Sequence, residues 1–256
     1  MSLQETVCRA KAREVLQKFM VGAPDEIDLA TIAWSAGRLT IEIGNLETAE
    51  GRLIASRDGG CIRVSEAVHN EARRRFIVGH ELGHFCLHKA ASALDTAAEL
   101  ADWRSGSRET EANIFSGELL MPDFLFKPLL GKSEPSLAFL DALAAQFETS
   151  TLATGVQYAT YTTEPVALVV SRGKQVLWCR KSESFEFWIG DTLHPYSAAH
   201  EILSGKSGDT KKMVEVPAFS WLPQYESDDD SEIKEDARLV QAYDIIVSLL
   251  WIDECI

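Results

Sequence analysis

Apolar positions change their spacing several times along this chain, and each change marks a different kind of element. Leu3, Val7, Leu16, Phe19 and Met20 recur among charges at helical intervals, so residues 3–20 predict an amphipathic helix. "GAPDEIDLATIAWSAG" then offers a Pro-Asp start to a second short helix that Gly37 ends. From Leu39 to Val64 the period shortens: "LTIEI", "GRLIAS" and "GCIRVS" are partly alternating, β-branched stretches separated by Gly-, Asn- and Asp-containing turns. They predict a small antiparallel sheet. The helical period returns from about Glu71 to His88 and, after a polar Ala/Ser/Asp stretch, from about Ser107 to Leu120, where Pro122 helps to stop it.

Residues 135–162 carry two short helical patterns around "ETST", spaced like a helix-turn-helix. "VALVVSRGKQVLWCRK" reads as a hairpin about "SRGK", followed by strand-like "FEFWI" and "MVEVPAFSWL". The acidic run 226–236, "ESDDDSEIKED", reads as a solvated linker or cap before a closing helix from about Ala237 to Leu250. The expected class is α+β, in three parts. Residues 1–132 hold the sheet and the histidine helix, 133–163 a helical packing segment, and 164–256 a mixed C-terminal domain with a sensor or regulatory role.

Composition narrows the function classes. The 256 residues are 46% hydrophobic, enough for a substantial core. A net charge of -14 argues against a surface devoted to phosphate or anionic lipid. The five cysteines are scattered, never as CxxC, which predicts reduced, mostly buried thiols. The opening residues lack a signal-peptide core and "IIVSLLWI" is too short to span a bilayer, so a cytoplasmic protein without membrane contact is expected.

"RRRFIVGHELGHFCLH" concentrates the chemistry, with three of the six histidines at intervals of four. Residues four apart on a helix stand about 6 Å apart along the axis, so His80 and His84 can aim ring nitrogens at one ion ~2 Å away. His88 lies about 12 Å from His80 along the axis, too far to join them on a straight helix, and is expected beside the site. The third ligand must come from elsewhere, and the helix "SRETEANIFSGELLMP" supplies carboxylates. On a wheel of about 100° per residue, Glu111 shares the side of Ala112, Ile114, Phe115, Leu119 and Met121, whereas Glu109 falls about 160° away toward solvent. A carboxylate on an apolar face calls for a cation, so Glu111 is the expected third ligand, with Glu118 in reserve as ligand or partner of a basic side chain. Three protein ligands leave a position for water, and Glu81, between the histidines but not a ligand, is the expected general base.

"RRRFIVGHELGHFCLH" followed at this distance by "ETEANIFSGELLMP" resembles the ImmA/IrrE-type metallopeptidases, gluzincin-like proteins with HExxH on one helix and a Glu before Ala-Asn on the next. The likeness extends over roughly residues 5–165, with small departures at Gly79 and Ser116-Gly117, where Ala is common. It implies a zincin-like fold, with His80, His84 and Glu111 as metal ligands, Glu81 as catalytic residue, and zinc, or another divalent ion such as manganese, as cofactor. It also implies a protein substrate, a helix-turn-helix repressor of the XRE type cleaved in a stress or mobile-element response.

Two other classes compete with an endopeptidase. A direct DNA-binding regulator is disfavoured because residues 133–163 contain no Lys or Arg, while Glu134, Asp141 and Glu148 are negative. A non-catalytic partner of a repressor, its zinc purely structural, would need four protein ligands, and no cysteine is placed to supply the fourth.

Overall fold

The structure is a computed structural model describing residues 2–47, 49–56, 58–88, 94–95, 108–227 and 230–253. Its backbone divides into two compact units, one of residues 1–128 with 144–153, the other of 129–143 with 154–256. The helical pair expected over 133–163 exists as two helices, each contributing to both units.

In the first unit, α1 (Leu3–Gln17) opens on a capping box, Ser2 Oγ accepting from Glu5 N while Glu5 accepts from Ser2 N. Asp28 caps α2 (Leu29–Gly37), which stops where Arg38 turns left-handed at φ 53°. The helix ends at Gly37, as expected, and Gly37 has a second task. A Cβ there would stand 2.2 Å from the ring of Phe85. Strands β1 (Leu39–Gly44), β2 (Gly51–Ser56), β3 (Gly59–Ser65) and β4 (Leu94–Asp95) form a sheet in the order β1-β3-β2-β4. β2 and β3 make an antiparallel hairpin, but β1 lies on the far side of β3 and runs parallel to it. The sheet is therefore mixed, not antiparallel: alternation reveals strands but not the order in which they pair.

The histidine helix, α3 (Glu71–His88), packs against β2, β3, α2 and α4 (Arg108–Leu120). The polar stretch expected between α3 and α4 lies outside the described residues apart from β4. Of the three arginines that open α3, Arg73 binds Glu50 at 2.6 Å, Arg74 lies 3.7 Å from Glu71, and Arg75 lies 3.3 Å from Glu148. They act as partners for acids. On α4, Glu118 is fully buried and paired with Arg9 at 2.9 Å and Arg13 at 3.2 Å, which takes up its reserve role as partner of basic side chains.

After the short α5 (Asp123–Phe126) come α6 (Leu137–Phe147) and α7 (Thr151–Tyr161). The second unit is built on an antiparallel sheet, β6-β5-β9-β8-β7, of β5 (Val166–Arg172), β6 (Gln175–Lys181), β7 (Val214–Pro217), β8 (Glu232–Val240) and β9 (Ile245–Trp251). The β5–β6 hairpin about residues 171–174 is as expected. "FEFWI" forms no strand, and the expected closing helix over 237–250 is instead the β8–β9 hairpin, turned at Asp244 with φ 51°. Both faces of this sheet are covered. Ala167 and Val169 join a core with Trp221, Phe185 and α8 (Ala198–Leu203), while Leu168, on the opposite face, lies 3.0 Å from where a Cβ on Gly155 of α7 would be. A strand buried on both faces reads as one apolar run, and that run has no period to tell it from a buried helix.

The acidic run is not solvated throughout. Glu235 and Asp236 on β8 are 0% and 2% exposed. Glu235 accepts from Ala198 N, Ala199 N, Trp221 Nε1 and Ser248 Oγ, and Asp236 accepts from Leu137 N and Thr210 Oγ1. Two strand carboxylates thus satisfy the first amides of α8 and α6, the groups every helix leaves without an internal partner.

Among the described residues no helix is long and apolar enough to cross a membrane. Cys8, Cys61, Cys86 and Cys179 are free thiols, of which Cys8 is buried and Cys179 exposed; Cys255 lies outside the described residues.

Candidate metal centre

Two rows of side chains on α3 explain how its histidines reach a partner helix. Gly79 and Gly83 stand one turn apart, and each is followed by a histidine. A Cβ on Gly79 would meet Ser116 Oγ at 2.5 Å, and one on Gly83 would meet Ala112 Cα at 3.0 Å. The glycine row therefore lets α4 approach to backbone distance. The neighbouring row, His80 and His84, then faces the polar stripe of α4.

On that stripe sit Glu109, Asn113 and Ser116 at spacings of four and three. His80 and His84 are 0% and 3% exposed, and their Nε2 atoms lie 2.9 Å apart. Glu109 Oε2 is 3.1 Å from His80 Nε2 and 3.3 Å from His84 Nε2. These three residues are the one group among the described residues whose ligand atoms converge as a metal requires. Bonds of ~2 Å at tetrahedral angles separate ligand atoms by roughly 3.3 Å, so the observed edges suit a zinc-sized ion. Burial alone would raise the Glu109 carboxyl, but hydrogen bonds and charge from His80 and His84 outweigh it and hold the group below the usual carboxylate range. The pocket favours a carboxylate ready to bind a cation.

The expected third ligand, Glu111, is not in this group. Its Oε1 accepts from Gln4 Nε2 at 2.6 Å, and its Oε2 lies 3.5 Å from His88 Nε2. Glu109, which the wheel turned toward solvent, stands in its place. The reason is that α4 is covered on more than one side. Glu111 and Glu118 lie within about 20° of each other on the wheel and face α1, while Glu109, Ala112, Asn113 and Ser116 share an arc of about 100° facing α3. The apolar centroid marks burial, but it does not say which neighbour a polar stripe meets. A legible signal was present: Glu-x-x-x-Asn-x-x-Ser on α4 matches the paired Gly-His rows of α3 in spacing.

Glu81, one position past His80, is fully buried against β2. A Cβ on Gly51 would stand 2.6 Å from Glu81 Oε1 and 2.5 Å from Ile77 Cγ2, so the strand must carry glycine where it passes over this carboxylate. His88 lies beside the group, its ring 5.4 Å from that of His84 and its Nε2 3.4 Å from the carbonyl of Arg108. Burial, and then the neighbouring His84, keeps its imidazole below the ordinary histidine range.

The description "IrrE N-terminal-like domain", of the M78 peptidases, matches residues 38–157, which span the sheet, α3, α4 and most of the following helical pair. No curated protein matches the sequence. Among solved structures, a Mycobacterium tuberculosis transcriptional regulator is similar with a TM-score of 0.65 at 15% identity, covering 95% of this chain and 75% of that one. At that identity the likeness is one of fold.

Proposed function

We propose that the chain is a zinc-dependent endopeptidase of the metallopeptidase type whose IrrE N-terminal-like domain residues 38–157 match. His80, His84 and Glu109 are its metal ligands and Glu81 its catalytic residue. The observation that carries this reading is the convergence of two buried Nε2 atoms and one carboxylate oxygen within 3.3 Å, with Glu81 on the same helix turn. Three protein ligands leave one coordination position open, the arrangement of catalytic rather than structural zinc. When bound, zinc, or another divalent ion such as manganese, supplies the Lewis acidity that makes water nucleophilic near pH 7.

The remaining chemistry belongs to the chain. Glu81 takes the proton of the attacking water as its oxygen bonds to the scissile carbonyl carbon, and returns that proton to the leaving amine as the C–N bond breaks. Its burial removes competing solvent from the carboxylate. Among the described residues β2 pairs outward only through Gly51 and Arg52, so Leu53 to Ser56 leave an edge along which a substrate backbone can add as a strand.

The substrate class we propose is a helix-turn-helix repressor of the XRE type, bound as protein, with no direct nucleic-acid contact and no membrane contact. The family resemblance supports it, and the fold neighbour's description as a transcriptional regulator accords with it. The Lys- and Arg-free segment 133–163 supports the absence of DNA binding.

Elemental analysis of purified variants tests the site. About one zinc per chain is expected in the wild type, Glu81→Gln and Glu111→Ala, and loss of zinc in His84→Ala and Glu109→Ala. Peptide-bond cleavage is expected from wild type and not from Glu81→Gln. Zinc kept by Glu109→Ala and lost by Glu111→Ala would return the third ligand to Glu111.

A further inference from the structure

Asn113 is fully buried on α4, one turn beyond Glu109, and its Oδ1 lies 2.9 Å from His80 Nδ1. That contact involves the ring nitrogen opposite to the one in the metal group. A neutral imidazole carries a single N–H, and an acceptor at one nitrogen draws the hydrogen there. We propose that Asn113 is a positioning residue: its side-chain carbonyl holds His80 as the Nδ1–H tautomer and fixes the ring plane, so that the Nε2 lone pair faces Glu109 and His84. The proposal rests on the reading of those three residues as metal ligands.

The choice of asparagine has a physical reason. Glu81 and Glu109 already place two carboxylates at the site, and an amide accepts the Nδ1 hydrogen without adding a third negative charge. The spacing matters equally. Glu109 and Asn113 are four residues apart on one helix, so the helix turn that supplies a ligand also orients the histidine opposite it. Ser116, next on the same stripe, ties the two helices together by donating to the Phe76 carbonyl at 2.8 Å. A shift of α4 along α3 would disturb ligand and positioning residue together.

The test uses the full chain and has two readouts. In metal-free His84→Ala/Glu109→Ala protein labelled with 15N-histidine, where neither of the two groups that face Nε2 competes for the hydrogen, long-range 1H–15N correlations above the pH at which imidazoles are charged report the tautomer of His80. In that background Nδ1–H is expected with Asn113 and with Asn113→Asp, whose carboxylate also accepts, and a loss of the Nδ1–H preference with Asn113→Leu. Zinc affinity, measured by competition with a chelating dye, should fall roughly 10- to 100-fold in Asn113→Leu, the usual loss when a partner behind a ligating histidine is removed, and recover in Asn113→Asp. Nε2–H with Asn113 present in the His84→Ala/Glu109→Ala background, or Asn113→Leu with both tautomer and affinity unchanged, overturns the role of Asn113 alone. A wild type that takes up no zinc, with Nδ1–H kept in that background, overturns the metal reading instead.

Discussion

A Cβ added at Gly79 would stand 2.5 Å from Ser116 Oγ, in the middle of the contact that brings α4 onto α3. The smaller residue on one helix makes room for the larger on the other. Gly79→Ala should therefore destabilise the fold by roughly 1–3 kcal/mol through overpacking, despite alanine's better helix propensity. Adding Ser116→Ala should restore stability to within about 1 kcal/mol of wild type, the loss of one hydrogen bond to Phe76 being offset by the helix preference of alanine. Urea unfolding midpoints of the two singles and the double would measure this coupling, and additive effects would refute it. At this scale the histidines and Glu81 were readable from spacing alone. The place of Glu109 beside the histidines was not, because a helical wheel ranks positions by burial and does not say which neighbour lies across from each of them.

At the scale of elements, one misreading has an instructive cause. The stretch from Ala237 to Leu250 looked helical because β9 is buried along its whole length and shows no alternation. The acidic residues before it looked solvated because charge normally is. Yet Glu235 is fully buried, with four donors converging on its two oxygens from α8, Trp221 and Ser248. Glu235→Gln would turn an amide NH2 toward two of those donors and leave them without an acceptor. A loss of about 1–3 kcal/mol is expected at pH 7, read as a lower midpoint in chemical denaturation. Unchanged stability would mean that α8 does not depend on this carboxylate. The amphipathic helices α1 and α3, the hairpin β5–β6 and the three strands of the first sheet were legible because each has one buried and one wetter face, or a marked turn.

For the whole molecule, pH connects burial to stability. Burial, reinforced by the charge of Glu111, pushes the Cys8 thiol from 9.0 up to about 11, and burial pushes Cys86 to about 11 as well. A folded pKa above the unfolded one means that the folded chain holds the proton more tightly. The resulting stability is fully present below pH 9 and is lost as pH rises from 9 toward about 11. Unfolding free energies measured across that window should fall, with a shallower slope in Cys8→Ala; an identical slope would show that Cys8 does not contribute. By itself the sequence determined an acidic α+β chain with a HExxH helix, a second acid-bearing helix and two strand-rich regions, since these follow from local period, turn residues and charge. Strand order, the division of α6 and α7 between two units, the sheet hidden in an apolar run and the clustering of Glu109 rather than Glu111 with His80 and His84 were decided only in three dimensions. Each depends on what packs against an element, and a one-dimensional pattern records that an atom is buried without recording its neighbour.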